Sequence, residues 1–275
     1  MTKPKRKTSK NPYTRLMTVT PAKAANWLES GNSHNRTPKE RGIAILAKNI
    51  INGTFLAVPH APIAFSPEGV LIDGQNRLTA IVRTNTAVDL YVCFNSPMAT
   101  QAVTDRGTPR TSADVHTLGG KYGAVGHGEL ATLRAMLSGN NGGARLTDDE
   151  EGQLLAAYRD GIDFAQEHMG TRLPGISTGA TRAAIARAYY HVTPDSHDRL
   201  SHFCEVLRSG VGGKGDASAT CCFRTLLRAQ RGHGASNRRW QYGVTERALR
   251  AYLDGEDLRK LYPASKELFP LPTLK

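Results

Sequence analysis

Acidic side chains are in short supply in this sequence: 24 Asp and Glu stand against 36 Lys and Arg in 275 residues, a formal net charge of +12. An excess of that sign favours a polyanionic partner, most often nucleic acid, because Lys and Arg gain by displacing counterions from phosphates. Cysteine is scarce as well. Cys93, Cys204, Cys221 and Cys222 include no C-x-x-C pair, and the vicinal Cys221 and Cys222 would need a strained ring to bridge each other. A disulfide framework is thereby excluded, and a reducing cytoplasm is the expected setting. No window of about 18 apolar residues occurs, and the basic start "MTKPKRKTSKNPYTR" has no apolar segment behind it, so neither membrane insertion nor export is expected. The nine histidines show no H-E-x-x-H or similar spacing, which argues against a metal site of His and Cys. What the chain does have is 39% hydrophobic residues, enough for one large domain or two small ones with real cores.

The organisation changes along the chain. Residues 1–15 combine Lys3, Lys5, Arg6, Lys7 and Lys10 with Pro4 and Pro12, a composition that reads as a basic disordered tail. It would serve as an electrostatic arm on a phosphate backbone or simply as a solubilising terminus. Residues 16–120 read as a mixed α and β domain. Thr20-Pro21 opens a helix through Trp27 and Leu28. "TPKE", Thr37 to Glu40, has capping-box spacing ahead of Ile43, Leu46, Ala47, Ile50 and Ile51. "PIAF" and "VLID" flank the turn "SPEG" as a hairpin, and "VDLYVCF", Val88 to Phe94, is a further strand. From residue 121 to 275 the pattern is helical, with Thr or Ser at several helix starts. The glycine-rich "SGVGGKGDAS" lacks Walker A spacing and a preceding strand, so it reads as a connection. The fold class expected is α+β: a compact mixed domain followed by a helical one.

"VLIDGQNRLTA", Val70 to Ala80, carries the most chemistry. A β-branched run stops at Asp73-Gly74, and Gln75, Asn76 and Arg77 then open a helix. Such a step places backbone amides and the positive end of a helix dipole where an anion can meet them. Gly74 lets the backbone come close, Arg77 can fork onto phosphate, and Asp73 can cap the helix, hold Arg77 or ligate Mg²⁺. The plainer alternative is a helix cap by Asp73 with Arg77 paired to it at the surface.

A second polar loop, "TDRGTPRTSAD", runs from Thr104 to Asp114. In it Asp105 and Arg110 flank Gly107 and Pro109, and Thr111 and Asp114 have capping-box spacing. It reads either as a partner to the first loop or as a surface turn closed by an Asp105 to Arg110 pair. Together with "SHNRTPKE", which sets Asn35 and Arg36 before a helix, and "NGTF" before an extended run, "DGQNRL" resembles the ParB/sulfiredoxin-like superfamily over about residues 30–118. The likeness is to phage and plasmid proteins labelled ParB-like nuclease domains, where "DGQHRL" is typical.

The resemblance implies a loop, Gly74 to Arg77, facing a nucleotide's phosphates, with Asn35, Arg36, Asp105 and Arg110 alongside. In the relatives that site serves CTP binding or phosphoryl transfer, so the cofactors implied are Mg²⁺ and a nucleoside triphosphate. As an enzyme, the chain would use Asp73 for metal binding or as a base and Arg77 for charge stabilisation, in phosphoryl transfer or in NTP or phosphodiester hydrolysis. The sequence departs from the relatives in two places: Asn76 replaces their His, and Gln75 replaces the glutamate of the partition proteins. An amide is no general base at neutral pH, which keeps a non-catalytic DNA-binding or partition-like adaptor open beside the enzyme.

In the helical half, "RAQRGHGASNRRWQYG" interleaves arginines with Trp240 and Tyr242. Arg238, Arg239 and Trp240 are its candidate nucleic-acid contacts, where bases stack and phosphates are held. The alternative is an exposed loop whose aromatics pack on the domain. DNA, a nucleotide and a second copy of the chain are the partners expected, with no membrane.

Overall fold

The computed structural model describes residues 11–32, 35, 37–102, 111–119, 121–139, 146–170, 173–229 and 234–273. The fold is α+β, and the chain divides into two compact units, residues 1–109 and 110–275. The division falls ahead of the 120/121 boundary expected from composition, because the helix at 112–119 belongs with the second unit.

The first unit is built from β1 (Tyr13–Val19), α1 (Pro21–Gly31), α2 (Glu40–Ile51), β2 (Ile63–Phe65), β3 (Leu71–Asp73), α3 (Gln75–Thr84) and β4 (Val88–Phe94), followed by a 3₁₀ turn at Met98–Ala102. Its sheet has the order β1-β4-β2-β3. β1 runs antiparallel to β4, from Tyr13 opposite Phe94 to Val19 opposite Val88. β2 is parallel to β4 and antiparallel to β3. Ile43, Ala47 and Ile50 of α2 and Leu78 and Ile81 of α3 join Ile63, Leu71, Leu90 and Val92 in one apolar core.

Two expectations fail here. β1 begins at Tyr13, inside the stretch read as disordered tail. Its side chains are exposed except for Met17 and Val19, and what orders it is pairing with β4, in which Tyr13 also stacks on Phe94 and the Thr18 hydroxyl donates to Asp89 at 2.6 Å. The "TPKE" box also does not form. α2 starts at Glu40 with Lys39 at its N-cap and no side-chain cap, and Glu40 instead accepts a forked pair of hydrogen bonds from Arg83 of α3, at 2.6 and 2.9 Å.

The hairpin turn follows its local chemistry. Gly69 N–H closes the turn on the Ser66 carbonyl at 3.0 Å, with Gly69 at φ +83°. The Ser66 hydroxyl accepts the Glu68 and Val70 amides, each at 3.2 Å.

The second unit is helical throughout its described residues: α4 (Ser112–Gly119), α5 (His127–Ser138), α6 (Asp148–Ala157), α7 (Arg159–Met169), α8 (Gly179–Tyr189), a 3₁₀ turn at Pro194–Ser196, α9 (His197–Ser209), α10 (Ala217–Arg228) and α11 (Ala235–Asp254). Threonines cap as expected: Thr147 accepts the Glu150 amide at 3.2 Å and Thr178 the Thr181 amide at 3.3 Å. Thr111 and Asp114 form the box that starts α4, the Thr111 amide reaching the carboxylate at 2.8 Å.

Alanine-rich α8 runs through the centre of this unit, with Ala180, Ala183, Ala184, Ala186 and Ala188 all buried. Side chains that small let α5, α7 and α11 pack against it closely. The segment after α11 returns over the bundle and buries Leu261 and Phe269.

Candidate phosphate-binding turn

The polar step at the end of β3 is a sharp strand-to-helix turn. Gly74 occupies the N-cap of α3 at φ +110°, a conformation that favours glycine, and a Cβ there would lie 2.7 Å from Ile63 Cγ1. Both the backbone angle and the neighbour therefore demand glycine. No side chain caps α3. The Leu78 amide opens the helical ladder on the Gly74 carbonyl at 3.0 Å, so the amides of Gln75, Asn76 and Arg77 precede it, and among the described residues they meet no acceptor. Uncapped first-turn amides with the helix dipole behind them are a physical basis for anion binding.

The charged residues of the turn are engaged with one another. Asp73 Oδ1 accepts the Gly74 amide at 2.7 Å and Oδ2 accepts Arg77 Nη2 at 2.8 Å. Arg77 also donates to the carbonyl oxygen of Ala61 and, at 3.2 Å, to that of Pro62, and its side chain is only 18% exposed. The guanidinium thus staples the chain just ahead of β2 to the start of α3. The surface pair of the plainer sequence reading is present, but it sits half-buried and holds two backbone carbonyls as well.

Each oxygen of Asp73 already accepts one of these hydrogen bonds, and among the described residues no group of three or more potential metal ligands includes it. No chemical step is derived through a metal there.

Asn35 lies close to the same strand. Its amide donates to the Leu71 carbonyl at 2.7 Å and to Asn32 Oδ1 at 2.8 Å, and its oxygen accepts from Gln101 at 3.3 Å. It thereby ties the end of α1, β3 and the 3₁₀ turn together, two residues along the strand from Asp73. Gln75 and Asn76 are half-buried on the first turn of α3, and the Asn76 amide comes within 3.7 Å of where a Cβ on Gly42 of α2 would stand. Arg36, Asp105 and Arg110, expected beside this turn, lie outside the described residues.

The third candidate group is helical. Arg238, Arg239 and Trp240 stand in the first turns of α11, where a loop was the alternative expectation. Both arginines are exposed, Trp240 is half-buried against the core of the second unit, and Tyr242 is fully buried.

Sequence reasoning missed one titratable cluster. His116, Asp148 and Glu151 bring ligand-type atoms within 4.8 Å of one another. Glu151 is already balanced, since Arg134 donates to its two oxygens at 2.5 and 3.0 Å and the His116 ring lies 3.4 Å away. All four cysteines are free, and burial pushes the Cys204 and Cys222 thiols up to about 12.

Comparison with known protein families, curated proteins and solved structures finds no match to this chain. The resemblance to the ParB/sulfiredoxin-like superfamily rests on the motifs quoted from its own sequence.

Proposed function

We propose that the first unit is a phosphate-binding module, taking a nucleotide or a DNA phosphate at the turn from Gly74 to Arg77, in a protein of a mobile element. The observation that carries this reading is the start of α3, which glycine opens and no side chain caps. The net charge of +12 supports the class of ligand. The motif resemblance supports the mobile-element setting.

Between the enzyme and the adaptor, the geometry favours the adaptor. A base and a charge stabiliser for phosphoryl transfer would have to be available to substrate, and here Asp73 and Arg77 neutralise each other while Arg77 holds two carbonyls. The phosphate is then gripped by backbone amides and by the amide side chains of Gln75 and Asn76.

Gln75→Glu tests the reading, because a carboxylate in the first turn supports the helix and repels a phosphate. The full chain is expected to gain thermal stability with at least one nucleoside triphosphate or to bind DNA, and Gln75→Glu to melt no lower on its own while losing that response. Unchanged ligand binding in Gln75→Glu would remove the turn from the site. Turnover of a bound nucleotide that disappears in Asp73→Asn would restore the enzyme.

A further inference from the structure

The second unit concentrates its positive charge toward one end of its sequence. Residues 224–275 contain eleven Lys and Arg against five Asp and Glu, whereas residues 110–223 contain eleven against thirteen. The end of α10, the start of α11 and the segment after α11 bring those cations around two adjoining surface cavities. The larger, about 550 Å³, is lined by Arg224, Arg228, Trp240, Arg259, Lys260 and Tyr262, among others. The smaller, about 430 Å³, shares Lys260, Leu261 and Tyr262 with it and adds Arg247 and Lys266. Among the described residues, no carboxylate lines either cavity.

These cations are available to a ligand. All six are exposed, and none forms an ion pair among the described residues, Arg224 donating only its Nε–H to the Thr220 carbonyl at 3.3 Å. Three acids of the same stretch are engaged elsewhere: Glu246 accepts buried amides, Asp254 pairs with Arg250 at 2.9 Å, and Glu267 pairs with Arg187 at 3.1 Å. Between the two cavities stands Tyr262, a large aromatic left 73% exposed. Trp240 lines the larger cavity while packing against the core. Unpaired cations bordering an aromatic platform are the combination that holds a phosphate backbone and stacks its bases. The concave shape suits a flexible strand better than a duplex, whose grooves are read by a protruding helix or ribbon.

We infer that this groove binds single-stranded nucleic acid, with Arg224, Arg228, Arg259 and Lys260 on the phosphates and a base stacked on Tyr262. It lies on other residues and in the other unit from the turn at Gly74, and shares with that reading only a phosphate-bearing partner.

The test is fluorescence anisotropy of the full chain with a labelled oligothymidylate about 20 nucleotides long, long enough for an extended site, titrated over a range of salt. Arg259→Ala/Lys260→Ala takes two cations off the phosphates, so it should weaken binding and flatten the slope of log K against log salt by about 1.4, at about 0.7 per neutralised phosphate on single strands. Arg224→Ala/Arg228→Ala should do the same independently. Tyr262→Ala should cost about tenfold in affinity with the slope unchanged, as loss of a stacked base does. Both double variants change exposed side chains, and unaltered melting curves verify that they fold.

Unchanged affinity in the two double variants would overturn the proposal. So would a duplex of equal length binding as tightly with no effect of Tyr262→Ala, or a polyglutamate of equal charge competing as well as the oligonucleotide. The double variants leave the turn at Gly74 untouched, so oligothymidylate affinity lost in them and ligand response lost in Gln75→Glu report on the groove and on the turn separately.

Discussion

Arginine is used in opposite ways in two parts of this molecule. At the turn of the first unit and in the centre of the second, guanidinium groups are fixed by the protein itself. Arg77 donates to Ala61, Pro62 and Asp73, and Arg187, 2% exposed, donates to the Met136 and Phe269 carbonyls and pairs with Glu267. Around the groove of the second unit, Arg224, Arg228 and Arg259 are exposed and make no ion pair among the described residues. Net charge counts both sets alike. Only the partners of each guanidinium tell a structural staple from a group that can meet a ligand, and at the turn first singled out for its arginine the groups left without partners among the described residues are backbone amides.

The largest effect that could break this comparison is at Arg187. Arg187→Met takes a charged donor from the Met136 and Phe269 carbonyls and removes the ion-pair partner of Glu267. Stability to urea should fall by about 3–5 kcal/mol, the scale for taking one side out of a buried charged network. A drop under about 1 kcal/mol, the level of an exposed pair, would show that Arg187 is no staple. The next effect is smaller. Arg77→Lys keeps the charge but puts all donors on one nitrogen, so the Ala61 and Pro62 carbonyls and Asp73 cannot all be held in their present geometry, and a destabilisation of about 1–3 kcal/mol is expected in thermal melts. Retained stability with weakened nucleotide binding would place Arg77 among the ligand-binding arginines.

The smallest effect concerns the acid beside Arg187. Glu246 is fully buried, with one oxygen receiving the Leu268 and Phe269 amides, each at 2.9 Å, and the other without a partner among the described residues. Burial is the main cause that holds its carboxyl above the usual range, against the opposing pull of those amides and of Arg187. A raised native value means that its contribution to stability is complete below the ordinary carboxylate range and declines as pH rises through the shifted value. Glu246→Gln cannot lose a proton. The melting temperature of Glu246→Gln relative to the native chain should therefore rise from acid toward neutral pH, and a difference that stays constant would remove Glu246 from the network's titration.

What the sequence discloses divides along a physical line. The hairpin around "SPEG", the start of α3 at Gly74, β4 and the threonine caps at Thr20, Thr147 and Thr178 are set by residues a few places apart, and they are legible. β1 is not, because only Met17 and Val19 turn inward, too short an apolar alternation to mark a strand, and its partners on β4 lie more than 65 residues on. Arg77's role is half legible. Its partner Asp73 is one helical turn away, but the carbonyls it holds lie 15 and 16 residues back and are reached only through the fold. Arg187 carries a readable signal in "TRAAIARAYY", where an arginine shares a helix with alanines on every side. The groove is partly visible: Trp240 stands out in its arginine-rich stretch, whereas Arg259, Lys260 and Tyr262 join it only because the segment after α11 folds back.

That returning segment bears on the order of assembly. Phe269 supplies an amide to Glu246 and a carbonyl to Arg187, Pro272 accepts the Tyr158 hydroxyl at 2.9 Å, and the Pro270 carbonyl lies 2.7 Å from His191 Nε2. Synthesis delivers α5, α7, α8 and α11 before any of these groups. A nascent chain halted at Asp254 would hold the bundle's helices with Arg187 and Glu246 still lacking those partners. This returning segment thus acts as a keystone, and protease resistance of the second unit should arise only once Phe269 is free to dock, instead of growing helix by helix.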